Sequence, residues 1–180
     1  MLHITIPGVE LWDENDQQFI VREPIDLELE HSLVSLKEWE SKWHKAFLKD
    51  NDKTAEESLD YIRCMTRTPN VDPEVYYRIP PNIEQQIYEY INAPMTATVF
   101  SDDKTAKPSR EVATAEVIYY WMIALNIPVE FQHWHLNSLL TLIKVCNIKN
   151  TPPKKMSKRD IMSRNAALNE ARRRQLNTRG

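Results

Sequence analysis

The sequence predicts an α+β protein that is mainly α: a small N-terminal antiparallel β segment, a bundle of about five helices behind it, and a basic C-terminal helical tail. Three observations carry that expectation. Apolar and polar residues alternate up to residue 30, the period of a strand. From Ser32 the apolar spacing becomes three and four, the period of a helix. At Thr151 the charge balance reverses. Residues 151–180 hold nine basic and two acidic side chains, +7, and residues 1–150 hold 14 basic and 24 acidic, −10, which together give the net −3. The expected organisation is a β segment over 1–30 packing on the helical body, a helical domain over 31–150, and a linker with a basic tail over 151–180.

In the first segment, Leu2, Ile4 and Ile6 alternate with His3 and Thr5, Pro7-Gly8 turns the chain, and Val9-Glu10-Leu11-Trp12 alternates again. Phe19-Ile20-Val21, then Ile25, Leu27 and Leu29 against Asp26, Glu28 and Glu30, offer further strands with one acidic face. Isolated hairpins are marginal in water, so such a sheet needs helices over its apolar side. Ser32 is a natural N-cap for a helix with Leu36, Trp39, Trp43 and Phe47 on one face. Thr54-Ala55-Glu56-Glu57 is a capping box, followed by Leu59, Ile62 and Met65 on one face until Thr68-Pro69 stops the helix.

Asp72-Pro73 and Pro80-Pro81 interrupt any long element over 70–81, leaving a loop with a turn of helix in it. Asn82-Ile83-Glu84-Gln85 again has capping-box spacing, ahead of an apolar stripe of Ile83, Ile87, Tyr90 and Ile91 that Ala93-Pro94 closes. Residues 95–100 read as a short strand and 101–108 as the most loop-like stretch of the chain. Ser109 caps a helix running to Leu125, apolar over much of its circumference and so expected to be central. After Asn126-Ile127-Pro128 another helix is expected over 129–147, with Phe131, Trp134, Leu139, Leu142, Ile143 and Cys146 at helical spacing. The short link implies that these two pack as an antiparallel pair. Thr151-Pro152-Pro153-Lys154-Lys155 is the linker, and a final helix from Ser157 has a thin apolar face of Ile161, Met162, Leu168, Ala171 and Leu176.

Composition excludes several function classes. Gly8 and Gly180 are the only glycines, so positive-φ positions are expected to be scarce, with any glycine turn at Pro7-Gly8. Phosphate-cradling loops and dinucleotide fingerprints require several glycines and are excluded. Cys64 and Cys146 are far apart with no CxxC partner, which fits buried free thiols in a reducing compartment. Met1-Leu2-His3-Ile4-Thr5 has neither a basic start nor an apolar stretch behind it, so no signal peptide is expected. No run approaches the roughly 20 apolar residues that span a bilayer. The expected location is the cytosol of the producing cell, with no membrane partner.

The chemistry-bearing residues are few. His133-Trp134-His135 is the only local histidine cluster, and within a helix neighbours two apart point roughly 200° from each other, which denies them a shared metal. One histidine at the helix surface with the tryptophan in the core is the expected arrangement. Asp13-Glu14-Asn15-Asp16 and Asp102-Asp103 are polar runs without calcium-loop spacing. There is no GxSxG and no assembled cysteine-protease signature. No catalytic residue, metal site or cofactor is expected, and no enzymatic activity. Helical spacing assigns Trp39, Trp43, Trp121 and Trp134 to the core.

The tail is the candidate interaction site, through Lys154, Lys155, Arg164, Arg172, Arg173 and Arg174. Its charge can pair with the acidic body, an acidic partner or nucleic acid. No aromatic residue follows Trp134, so the base stacking that single-strand binders use is missing. That leaves a solvated basic face, or docking of a helix with alternating basic and apolar positions onto an acidic protein, ahead of nucleic-acid binding.

The chain resembles the tail assembly chaperones of long-tailed (siphovirus-type) bacteriophages, in their short form. The features that carry the resemblance are the N-terminal β segment, Leu27-Glu28-Leu29-Glu30-His31-Ser32-Leu33 entering a Trp-rich helix, and the Trp121 and Trp134 helices. Most reminiscent is Met162-Ser163-Arg164-Asn165-Ala166-Ala167-Leu168-Asn169-Glu170-Ala171-Arg172-Arg173, with Asn177-Thr178-Arg179-Gly180 at the end. The resemblance implies a non-virion helper in the host cell cytoplasm that binds the tape measure protein while tail tube subunits polymerise around it. The tail tube protein and a second copy of the chain are further implied contacts. Two other classes stand beside it: a structural virion protein, such as a head-to-tail connector or minor tail protein, and a small nucleic-acid-binding regulator.

Overall fold

In the computed structural model, which describes residues 1–13, 17–49, 53–100, 112–151 and 158–177, the N-terminal strands form one long hairpin with a break in the middle. Strand β1 (Leu2–Ile6) pairs antiparallel with β4 (Ile25–Leu29), and β2 (Val9–Asp13) with β3 (Gln18–Arg22). One register runs through both ladders: Leu2 faces Leu29, Ile6 faces Ile25 and Val9 faces Arg22. Continued across the gap, it sets Pro7 opposite Pro24, and two residues without an N–H cannot bond to each other, so the ladder breaks there. Gly8 sits at the break because a Cβ on it would lie 2.6 Å from the Arg22 carbonyl oxygen; its φ is not positive. Close backbone approach, rather than a left-handed turn, is what requires this glycine.

Alternation along β1 and β4 buries Ile4, Ile6, Leu27 and Leu29. On the other face Thr5 Oγ1 donates to Asp26 Oδ1 at 2.6 Å. Helix α1 (Leu33–Trp43) begins at the Ser32 cap and ends at His44 in the left-handed conformation. Phe47 therefore lies beyond the helix, yet its ring stacks on Tyr61 at 3.9 Å and meets Trp39 edge-on at 5.0 Å. Helix α2 (Ala55–Met65) carries the Thr54/Glu57 capping box that the sequence predicts. Beyond it the backbone joins the β1/β4 sheet, with Glu30 N–H donating to Met65 O and Arg67 N–H to Glu28 O, both at 2.8 Å.

A 3₁₀ turn over Pro73–Arg78 leads to α3 (Pro81–Asn92). Asn82 is not its cap: Pro80 holds that position and Pro81 the first helical one, where a missing N–H is harmless. Helix α4 (Ala115–Ala124) is capped by Thr114, while Ser109 lies outside the described residues. A second 3₁₀ turn over Val129–His133 precedes α5 (Leu136–Asn150), and α6 is Lys158–Leu176. The protein is α+β, mainly α, and divides into two units, Met1–Asn147 and Ile148–Gly180.

The first unit has two apolar cores that share α1. One lies under the sheet, where Trp39, Tyr61, Met65, Val75, Ile83 and Ile87 meet the buried faces of β1 and β4. The other joins Leu33 and Leu36 to Ala115, Ile118 and Met122 of α4 and to Leu136, Leu139 and Ile143 of α5. Glu40 bridges α1 to its surroundings: its carboxylate accepts from Phe47 N at 2.9 Å and Ala115 N at 2.7 Å. It thereby caps the first turn of α4 from outside, with its pKa raised by burial.

Several expectations are corrected. Residues 95–100 form no strand: Met95 takes φ 48 and the chain bends at residues 96 and 97. The helix expected over 129–147 is interrupted at Trp134, whose extended backbone separates the 3₁₀ turn from α5. Helix α4 approaches α1 more closely than α5, and Tyr120 and Ile123 on it are exposed, so it is buried along one face only. Positive φ is not scarce: Gln17, His44, Asn70, Met95, Asn126 and Asn177 all adopt it. Asparagine replaces glycine at three of them, its short polar side chain tolerating that region. Cys64 and Cys146 are free but only half-buried. No described helix is long and apolar enough to cross a membrane.

Candidate functional site

Helix α6 holds four of the six basic residues that the sequence singles out; Lys154 and Lys155 lie outside the described residues. Every described side chain on α6 is exposed, including Ile161 at 44%, Met162 at 73%, Leu168 at 46% and Leu176 at 70%. At about 100° per residue, Arg172, Arg173 and Arg174 fan over some 200° of the helix and do not form one face. Arg172 falls between Leu168 and Leu176 at four-residue spacing, on the apolar stripe itself. Arg174 points elsewhere and donates to Glu170 Oε1 at 2.5 Å. The arrangement is an apolar strip with guanidinium groups on and beside it, suited to a partner that offers apolar contact and carboxylates together.

A second cluster, at the junction of β4 and α1, is not evident from the sequence. Glu30, His31 and Ser32 are buried in succession, so Glu30 does not belong to an acidic outer face. Its Oε1 accepts from Ser32 Oγ at 2.6 Å and lies 3.2 Å from His133 Nδ1 and 3.4 Å from Arg67 Nη2. Ser35 Oγ donates to the Glu30 carbonyl at 2.5 Å. The His31 ring bonds the Tyr61 hydroxyl through Nδ1 at 2.6 Å and meets the His135 ring edge-on at 4.9 Å. His135 in turn is bonded through Nε2 to the Tyr90 carbonyl at 2.9 Å. Leu136 N–H closes the junction onto the His31 carbonyl at 2.9 Å.

Burial sets the electrostatics here. It lowers the His31 pKa to about 3, with His135 nearby adding to the effect, and it lowers His135 against the opposing bond to Tyr90. It raises the Tyr61 hydroxyl well above its ordinary value and pushes the Cys64 thiol up to about 11. His31, His135, the Tyr61 phenol and the Cys64 thiol are therefore held neutral, and the cluster ties β4, α1, α2, α3 and the 129–133 turn into one body. Of the placement expected around His133, the surface histidine holds, since His133 is exposed while His135 is half-buried and bonded, but the tryptophan is corrected: Trp134 is 43% exposed and stacked on Phe131 at 4.2 Å. The only signal was the polar triplet Glu30-His31-Ser32 between Leu29 and Leu33, where the strand alternation stops.

A third surface lies on the β2/β3 arm, where Trp12, Phe19 and Val21 are exposed and the two rings meet edge-on at 4.9 Å. Trp39 is buried, Trp43 and Trp121 half-buried. Among the described residues no three His, Cys, Asp or Glu side chains gather closely enough to hold a metal ion. No family model matches this chain, and neither the curated proteins nor the solved structures give a match.

Proposed function

We propose that the chain is a non-catalytic assembly chaperone of the kind its sequence resembles, holding the tape measure protein in the host cytoplasm while the tail tube assembles around it. The observation that carries this reading is α6. A 19-residue helix with no buried side chain among the described residues is marginal in water by itself. Its exposed Ile161, Leu168 and Leu176 beside Arg172 and Arg173 make a surface that gains most from being covered. Opposite charge on a partner would steer the encounter, and a thin apolar strip keeps the affinity modest enough for release. The exposed Trp12 and Phe19 supply a separate contact surface.

Co-expression with the tape measure protein tests the reading. The client is expected in the soluble fraction and in the same chromatographic peak as this chain, and insoluble without it. A client equally soluble in both cases, or one that never copurifies, excludes the reading.

A further inference from the structure

Among the described residues, β3 has β2 as its only neighbouring strand, so its outer edge presents N–H and C=O groups that no ladder pairs. Along the same side of the long hairpin, β4 is closed off by the chain after α2, through Glu30 N–H to Met65 O and Arg67 N–H to Glu28 O. At the junction, Arg22 is held to Glu74 at 2.8 Å. No backbone bond among the described residues covers Gln18–Val21 in this way, and Gln18, Phe19 and Val21 are exposed. Edge strands are ordinarily blunted by charge, proline or a bulge. Gln18-Phe19-Ile20-Val21 has no charge and no proline, and its register with β2 is unbroken. A two-stranded ribbon is itself marginal in water, so the arm gains from one more strand.

We propose that two copies of this chain associate edge to edge through β3, forming an antiparallel sheet ordered β2-β3-β3-β2 and centred on Ile20. A two-fold axis normal to the sheet keeps every side chain on its own face. Centred on Ile20, it sets Ile20 against Ile20, Phe19 against Val21 and Gln18 against Arg22 of the second copy. Phenylalanine with valine is a favourable cross-strand pair, the glutamine amide oxygen accepts from a guanidinium, and no like charges meet. A shift of two residues either way shortens the paired run and sets Ile20 against Gln18 or Arg22 instead. Strand β2 suits this role less well, because its sequence includes Glu10 and Asp13 and residues 1–150 are already acidic. The pairing is independent of the chaperone reading, since it uses no residue of α6. It leaves both faces of the sheet open, with Trp12 and Phe19 of each copy on one of them.

Sedimentation equilibrium of the full chain and of two double variants tests the register itself. Phe19→Glu with Val21→Lys and Phe19→Lys with Val21→Lys both alter exposed side chains. They share Val21→Lys, whose ammonium faces Glu10 across the hairpin, so the fold is kept in both. They differ only in the sign of the charge at position 19, which meets position 21 of the second copy. The unaltered chain is expected to dimerise with Kd of about 100 μM or tighter, as suits a small interface. The variant with opposite charges is expected to dimerise, and the variant with like charges to do so at least about tenfold more weakly. A chain that stays monomeric up to about 1 mM overturns the proposal. So does equal association of the two variants, which would place any self-contact elsewhere than on this edge.

Discussion

His31 shows how much a single buried side chain contributes. Its ring is neutral, bonded to Tyr61 and held to a pKa of about 3, whereas in an unfolded chain a histidine titrates near 6.5. Above that value both states are neutral and the junction contributes fully. As the pH falls through the window from about 6.5 to about 3, the unfolded chain binds a proton that the folded one refuses, so stability drops. The expected loss is about 2–3 kcal/mol between pH 7.5 and 4.5. Urea denaturation at a series of pH values reads it, and His31→Asn flattens the dependence; a wild-type curve flat over this range contradicts the assignment. The Ser32 and Thr54 caps were legible in the sequence because a cap is a local device, settled within four residues. The roles of His31 and Glu30 were not, because their partners Tyr61, Arg67 and His133 are 30 to 103 residues away.

At the scale of elements, α1 ends where His44 takes φ 53 and ψ 34, a conformation that disfavours a residue with a Cβ by about 1–2 kcal/mol. The side chain is exposed, so little packing is lost on its removal. His44→Gly is expected to raise stability by about 0.5–1 kcal/mol, after allowing for the greater freedom glycine gives the unfolded chain. A higher urea midpoint with unchanged slope confirms it; a lower midpoint means that the imidazole makes a contact worth more than the strain. Strands β1 and β4 and helices α1 to α3 follow closely from period and punctuation, since alternation and prolines act locally. The break at Trp134 does not, because it is fixed by His135 reaching Tyr90 and by Leu136 bonding back to His31, contacts no helical period encodes. Nor was the Pro7/Pro24 interruption legible, since it depends on which residues the register sets opposite each other.

For the whole molecule, the division of charge was visible in the sequence as an acidic stretch of 150 residues and a basic tail, and α6 forms within that tail. What the sequence could not fix is the distribution around the helix: Arg172 on the apolar stripe, Arg173 and Arg174 off it. The functional account rests on that exposed basic helix as the contact for the client. Affinity of the tape measure protein for the full chain, compared with a variant carrying Arg164, Arg172, Arg173 and Arg174 all changed to Glu, tests it most directly. These positions are exposed, so the first unit folds in both proteins. The account predicts binding weakened at least about tenfold in the variant, with the difference shrinking as salt is raised; equal affinity for the two proteins at low salt contradicts it.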